Sequence, residues 1–264
     1  MQRKRWFESD HEKNGPVTLY DFKLEEDYLD VTNRSSKQTP NVGWRLVDDS
    51  ITIRGYSESS IQLVSAPEEY QLNENRQSNH DTFIPFVRWS GTIDTRVPGD
   101  DDSAEPTQDA RHNRKVQRSG FASLQSPSFF SLSGQDGAAN LDGRFNGLEI
   151  TCRTDGRPYA VQLKILDSYI PDDLYQCFLN VPPTKVDHNM STEDSFDKIV
   201  LLFQHFFVTA GGKLRAKQRT LDNRIQIQAV NFTLMDGVNG NFQFDLARIR
   251  AVNYDDRGVI GQAD

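Results

Sequence analysis

From about residue 50 onwards, apolar and polar side chains alternate with a period of two, the pattern of strands that bury one face. Leu148, Ile150 and Cys152 alternate with Glu149, Thr151 and Arg153, and Tyr159, Val161, Leu163 and Ile165 alternate with Ala160, Gln162 and Lys164. Asp155-Gly156 stands between these runs. Such a dipeptide readily adopts the positive φ angles of a tight turn, so the pattern predicts a β-hairpin here. Tyr175, Cys177 and Leu179 mark another strand, as do Ile199, Leu201 and Phe203. Ile225, Ile227 and Ala229 lead into Val230, Phe232 and Leu234, where the apolar face changes parity. A β-bulge, or burial on both faces, accounts for such a change. Asp236–Gly240 then turn the chain into a last strand with Phe242, Phe244 and Leu246. Upstream, strands are expected over Ile51–Gly55, Ile61–Val64, Phe83–Ile93 and Phe121–Leu124. Val17–Tyr28 is too irregular to read as a helix. About ten short strands separated by turn residues predict an all-β fold, an antiparallel sandwich or barrel.

Two stretches break the alternation. Ser65–Asp81 and Asp94–Arg118 are poor in apolar residues, and the second passes from the acidic Pro98–Asp102 to Arg111, Arg114, Lys115 and Arg118. Long aperiodic segments inside a compact domain read as disordered insertions, or as loops that order on meeting a partner. The expected organisation is an N-terminal tail (1–16), one β-sandwich domain (17–252) with insertions at 65–81 and 94–118, and a C-terminal tail (253–264).

Composition narrows the function classes. Among 264 residues, 30 Lys and Arg face 38 Asp and Glu, a net charge of −8. Proteins that live on nucleic acid usually carry the opposite excess, so no nucleic-acid partner is expected. The longest apolar run, Ile199–Phe203, falls far short of the ~20 residues of a membrane-spanning helix. With 16 Phe, 8 Tyr and 3 Trp the chain can fill a sizeable core. Cys152 and Cys177 have neither disulfide-framework nor metal-ligand spacing and read as buried structural thiols. Met1–Phe7 is basic and aromatic, but Glu8, Asp10 and Glu12 follow at once, so no secretory signal and no clear mitochondrial presequence is read. Of the sequons at Asn33, Asn189 and Asn231, the last sits in a strand pattern.

A search for catalytic chemistry yields little. Glycine-rich phosphate loops, H-E-x-x-H and C-x-x-C are missing from the sequence. Gly55-Tyr-Ser57 imitates the start of a nucleophile elbow without its second glycine or helix. His205, between Phe203 and Phe206, reads as a hydrogen-bonded strand histidine; His188 has Asp187 beside it but no nucleophile, and His11, His80 and His112 lie in polar segments. Asp236, Asn239 and Asn241 share a turn that hairpin chemistry explains better than calcium. Asp172-Asp173 and Asp255-Asp256 are adjacent rather than facing pairs. The expectation is therefore no enzyme, no catalytic residue, no metal and no cofactor. Trp44 and Trp89 would stack on sugars if exposed, though Trp89 has core spacing with Val87 and Ile93. The one binding signal is Lys213, Arg215, Lys217 and Arg219, every second residue after Gly211-Gly212. If extended, that segment presents a basic stripe to acidic protein or anionic lipid headgroups. A solvated edge strand kept soluble by its charges is the plainer reading.

Several short pieces occur in a telling order: Trp44 before an Asp-rich link, Gly55-Tyr-Ser57, Trp89-Ser-Gly91, Gly120-Phe-Ala-Ser123, Phe145-Asn-Gly-Leu148, Thr154-Asp-Gly-Arg-Pro-Tyr159, Arg224-Ile225, Asn231-Phe-Thr-Leu234, Asp236-Gly237 and Gly240-Asn-Phe242. Together they resemble the complex I intermediate-associated protein 30 family over roughly residues 17–252. The resemblance implies a galactose-binding-domain-like β-sandwich (jelly roll). It also implies a non-catalytic assembly factor that binds intermediates of mitochondrial respiratory complex I, and fellow assembly factors, on the matrix side of the inner membrane. Peripheral contact with that membrane is part of what it implies. Gly120, Asp155, Gly156, Asp236 and Gly240 then read as turn positions. The chain differs from the family pattern at Arg54, where a glycine is common, and in its long polar insertion before Gly120. A carbohydrate-binding module of the same architecture is the alternative reading.

Overall fold

A computed structural model of the chain describes residues 16–22, 43–65, 83–97, 119–127, 139–140, 145–165, 173–183, 195–221 and 226–254. Its elements are β1 (Val17–Asp21), β2 (Arg45–Asp48), α1 (Asp49–Ile53), β3 (Glu58–Val64), β4 (Phe86–Ile93), β5 (Ala122–Gln125), β6 (Ala139–Asn140), β7 (Gly147–Thr154), β8 (Tyr159–Ile165), β9 (Asp173–Leu179), β10 (Asp197–Leu202), β11 (Phe207–Ala210), β12 (Lys213–Leu214), β13 (Gln226–Leu234) and β14 (Gly240–Val252). Most of both expected insertions, and His11, His80, His112 and His188, lie outside the described residues.

Two antiparallel sheets form. In the first, β10-β7-β14-β4-β3 are neighbours and β1 also pairs with β14; in the second the order is β12-β11-β9-β8-β13-β5-β2, with β6 on β13. The long β14 is shared along one edge, by β4 over residues 240–246 and by β1 over 248–251. Inward residues of both sheets make one core. Trp89 stands 5.0 Å from Phe242 and 5.9 Å from Tyr159, while Phe244 lies 4.9 Å from Tyr159 and 5.0 Å from Phe232. Each such ring contributes about 1.5–3 kcal/mol by leaving water. The fold is thus the antiparallel β-sandwich of jelly-roll type that the alternation and the resemblance led us to expect.

Register explains the parity changes. A shift between Ile227 and Ala229 on β13 lets Ala229 and Val230 both be buried. A second shift between Leu246 and Arg248 turns Ala247 out of the main core, onto a smaller cluster of Ile84, Phe86 and Phe196.

Three sequence expectations need correction. Ile51–Gly55 contains no strand: Asp48 caps α1 by accepting the Ile51 N–H, and Ile51 is 71% exposed. A side-chain cap here outweighs the strand preference of two isoleucines. Asp155-Gly156 does turn the chain, but not into a hairpin. β7 already has β10 and β14 on its two edges, and β8 has β9 and β13, so residues 155–158 arch from one sheet to the other. Alternation tells which face points inward; it does not tell which strand lies alongside. His205 belongs to a short 3-10 turn, Phe203–His205, and is exposed.

Candidate functional site

Motif pieces far apart in sequence meet on a single buried carboxylate. Asp49, the first residue of α1, accepts the Ser57 N–H at Oδ1 (2.8 Å), and at Oδ2 it accepts the Ser57 hydroxyl (3.1 Å) and the Gly120 N–H. The Ser57 Oγ in turn accepts the Asp94 N–H at 3.0 Å. This knot ties α1, the start of β3, the end of β4 and the approach to β5. A Cβ at Gly55 would stand 2.4 Å from the Asp49 carboxyl carbon, so a side chain there would displace the carboxylate. Gly120 has φ +84°, which admits glycine readily and little else. Ser57 is fully buried and committed to hydrogen bonds, which leaves it no role as a nucleophile.

A second knot holds the arch between the sheets. Arg157 grips Asp236 through Nε and Nη2 at 2.8 and 2.6 Å, and its Nη1 and Nη2 donate to the carbonyls of Gly240, Asn241 and Val238. Asp155 accepts the Arg157 N–H and the Tyr159 hydroxyl on one oxygen, and the Gln243 N–H on the other. Gly156 and Gly240, at φ +86° and +131°, complete the turns. Burial pushes the Asp236 carboxyl up, but the Arg157 guanidinium and the Val238 N–H outweigh it and hold the group below the usual carboxylate range. The arginine therefore takes the place a calcium ion would need. Among the described residues no group of three or more His, Cys, Asp or Glu is placed to hold a metal.

A third cluster escaped the sequence reading. Asp245 on β14 lies opposite Arg88 on β4 and Arg153 on β7, and both guanidinium groups reach it, at 2.8 and 2.9 Å. Arg153 is also sandwiched 4.7 Å from the Phe86 ring centroid and 4.3 Å from that of Phe196. Its alternating position on β7 is visible in the sequence; its pairing with Asp245 needs the register.

The four basic residues form a corner rather than a row. Only Lys213 and Leu214 are extended, as β12 against β11. Arg215 is half-buried and bonds Asp173 at 2.9 Å, whereas Lys213, Lys217 and Arg219 are exposed. Trp44 and Trp89 are both in the core. The exposed large apolar side chains among the described residues are spread over several turns and edges, Ile51, Tyr56, Phe178, Leu214, Met235 and Val238, and the Phe178 ring lies 6.0 Å from that of Phe207, tilted by 39°. Cys152 and Cys177 are free and buried. The buried carboxylates described above are occupied with holding strands and turns, and what the surface offers is contact through side chains.

Comparison with known proteins adds a family and a set of fold relatives. A family model described as Complex I intermediate-associated protein 30 (CIA30) matches residues 32–246. Comparison with curated proteins gives no match. Among solved structures, the chain is similar to the family 11 carbohydrate-binding module of the cellulosomal cellulase Lic26A-Cel5E of Clostridium thermocellum, at 12% identity and TM-score 0.45, over 90% of this chain and 95% of that one. The Clostridium thermocellum family 11 module in complex with a β-1,3-1,4-mixed-linked tetrasaccharide is similar at 13% identity and TM-score 0.45, over 91% and 96%. A solution structure of CtCBM11 is similar at 14% identity and TM-score 0.46, over 92% and 98%. Likenesses this distant carry no inference about a ligand.

Proposed function

This chain belongs to the complex I intermediate-associated protein 30 family, and from that membership we propose that it is a non-catalytic assembly factor for mitochondrial respiratory complex I. It holds assembly intermediates through protein–protein contacts, together with other assembly factors, peripherally on the matrix side of the inner membrane. The observation that carries this reading is the match over residues 32–246, which takes in all three buried knots. The chemistry of those knots supports it. Asp49, Asp236 and Asp245 are each bound by donors from other segments, as framework groups are. The carbohydrate-binding alternative draws no support from Trp44 and Trp89, whose rings are buried.

Affinity purification of the full chain from mitochondria tests the proposal. The expected result is recovery of complex I subunits from incomplete assemblies, together with fellow assembly factors. Recovery of neither would overturn it.

A further inference from the structure

The strands at the ends of the two sheets, β10 and β3 in the first and β12 and β2 in the second, are not equally protected. β10 carries Asp197 and Lys198, and β2 is four residues long with Arg45 and Asp48. β12 is two residues long, and beyond it Gln218 occupies the edge of β11: the Val208 N–H donates to Gln218 Oε1 at 2.7 Å, and the Val208 carbonyl accepts from Gln218 Nε2 at 3.1 Å. Charge, short length and a covering side chain each close a sheet edge to another strand. β3 has none of these protections. It runs for seven residues without Lys, Arg or Pro, and its one charge, Glu58, stands at the first position.

Among the described residues β3 pairs with β4 alone, and no turn, loop or cap hydrogen bond reaches its backbone. The Ser59 hydroxyl donates to Asp48 Oδ2 and the Ser60 hydroxyl to the Ser90 carbonyl, so neither occupies a backbone group of β3. Alternate residues of an edge strand turn their N–H and C=O away from the neighbour they pair with. The far side of β3 therefore presents a row of unpaired donors and acceptors. Ile61 and Leu63 lie opposite Trp89 and Val87 and pack against the main core, yet both stay half-buried at this edge. Asp48 of β2 reaches β3 at its start, through Ser59, and leaves Ser60–Val64 for a new neighbour.

The occupant has to bring an unpaired strand edge of similar length and no repelling charge. A second copy of this chain necessarily brings one, and twofold dimers are the commonest oligomers. Antiparallel pairing centred on Ile61 sets Ser60 against Gln62 and Glu58 against Val64; centred on Gln62, it sets Ile61 against Leu63 and Ser60 against Val64. Either way residues of the same face meet and the two Glu58 carboxylates stay apart. We propose that β3 pairs with β3 of a second copy, antiparallel about a twofold axis, so that the first sheets of the two copies become continuous. A strand pair of this length falls short of the about 800 Å² a side of a standard interface, so the dimer is reversible and its population follows concentration. The pairing is independent of the assembly-factor reading.

Sedimentation velocity of the full chain from about 1 to about 100 μM tests it, in about 0.15 M salt so that the net charge of −8 on each copy is screened beyond about 8 Å. The parent should pass reversibly from monomer to dimer over that range. Ser60→Lys combined with Gln62→Lys sets like charges against each other across the axis and should raise the dissociation constant about tenfold. Ser60→Glu combined with Gln62→Glu should do the same. An equimolar mixture of these two variants should recover the dimer, because opposite charges then face each other. Leu214→Lys, at the closed end of the other sheet, should leave dimerisation unchanged. Ser60, Gln62 and Leu214 are exposed, and urea midpoints matching the parent confirm that the variants fold. A parent that stays monomeric at about 100 μM would overturn the proposal and leave the β3 edge to a strand of another protein. So would lysine variants that dimerise as the parent does, a mixture no more dimeric than its components, or loss of the dimer in Leu214→Lys.

Discussion

Replacing Asp49 with alanine tests whether the convergence of the motif segments holds the sandwich together. The carboxylate has no exposed surface and accepts two backbone N–H groups and one hydroxyl. Asp49→Ala strands these donors away from water. A buried unsatisfied donor costs about 1–3 kcal/mol. Ser57 Oγ can redirect its proton to the Asp94 carbonyl, 3.3 Å away, so the two N–H groups dominate and the sum comes to about 3–5 kcal/mol. Domain stabilities are about 5–15 kcal/mol, so the variant should sit near the edge of folding. With a urea slope of about 3 kcal/mol/M the midpoint should fall by roughly 1–1.7 M. Asp49→Asn, which keeps one acceptor oxygen, should cost about half as much. Ser57→Ala should cost about 1 kcal/mol in the parent and much less on the Asp49→Ala background, because the two side chains share a bond. Urea unfolding followed by circular dichroism reads the parent and the four variants. An Asp49→Ala midpoint within about 0.3 M of the parent would refute the reasoning, since it would mean less than about 1 kcal/mol rests on the carboxylate.

Other consequences follow from single residues. Arg54 caps α1 at φ 59°, and it is the one non-glycine residue with positive φ among those described; Arg54→Gly should stabilise by about 1 kcal/mol in the same urea assay. Because Asp236 is held below its unfolded-state value of about 3.9, its contribution is complete above that pH and is lost as pH falls through the lower folded-state value. Asp236→Asn should therefore lower stability at neutral pH and reduce its decline on acidification, as midpoints measured from pH 7 downward will show. Burial pushes both cysteine thiols up, Cys152 further, with the Asp197 and Asp245 charges adding to it. Neither should label with iodoacetamide in the native state, and on partial unfolding Cys177 should react ahead of Cys152, as mass spectrometry of the labelled peptides would show.

The strands were legible because a strand with one face in the apolar core writes that face into the sequence two residues at a time. Leu148 to Arg153 and Tyr159 to Lys164 show this plainly, although the polar residues of the first are buried as well, and so does the parity change after Ala229. Partnership between strands was not legible. Asp155-Gly156 has hairpin chemistry, yet the flanking strands lie in different sheets because each already has neighbours on both edges. Local signals also hid the short helix at 49–53, where the strand pattern of Ile51 and Ile53 competes with the cap at Asp48. Of the basic stripe, the residues were visible but their conformation was not. Gln218, which folds the segment back on Val208, gives no sign in the sequence of making that bond. The buried knots were visible only as separate fragments. Asp49 stood in the Asp-rich link after Trp44 with nothing to single it out, and Gly55, Ser57 and Gly120 could be seen to share it only once the chain was folded.

The central claim is that the chain serves the assembly of complex I and takes no part in its catalysis. The most direct measurement is depletion of the protein in cells, followed by native-gel separation of mitochondrial complexes and re-expression of the parent or of Asp49→Ala. The account predicts loss of assembled complex I and accumulation of incomplete assemblies. The parent should restore the mature complex and Asp49→Ala should restore much less. A normal amount of mature, active complex I after full depletion would contradict it.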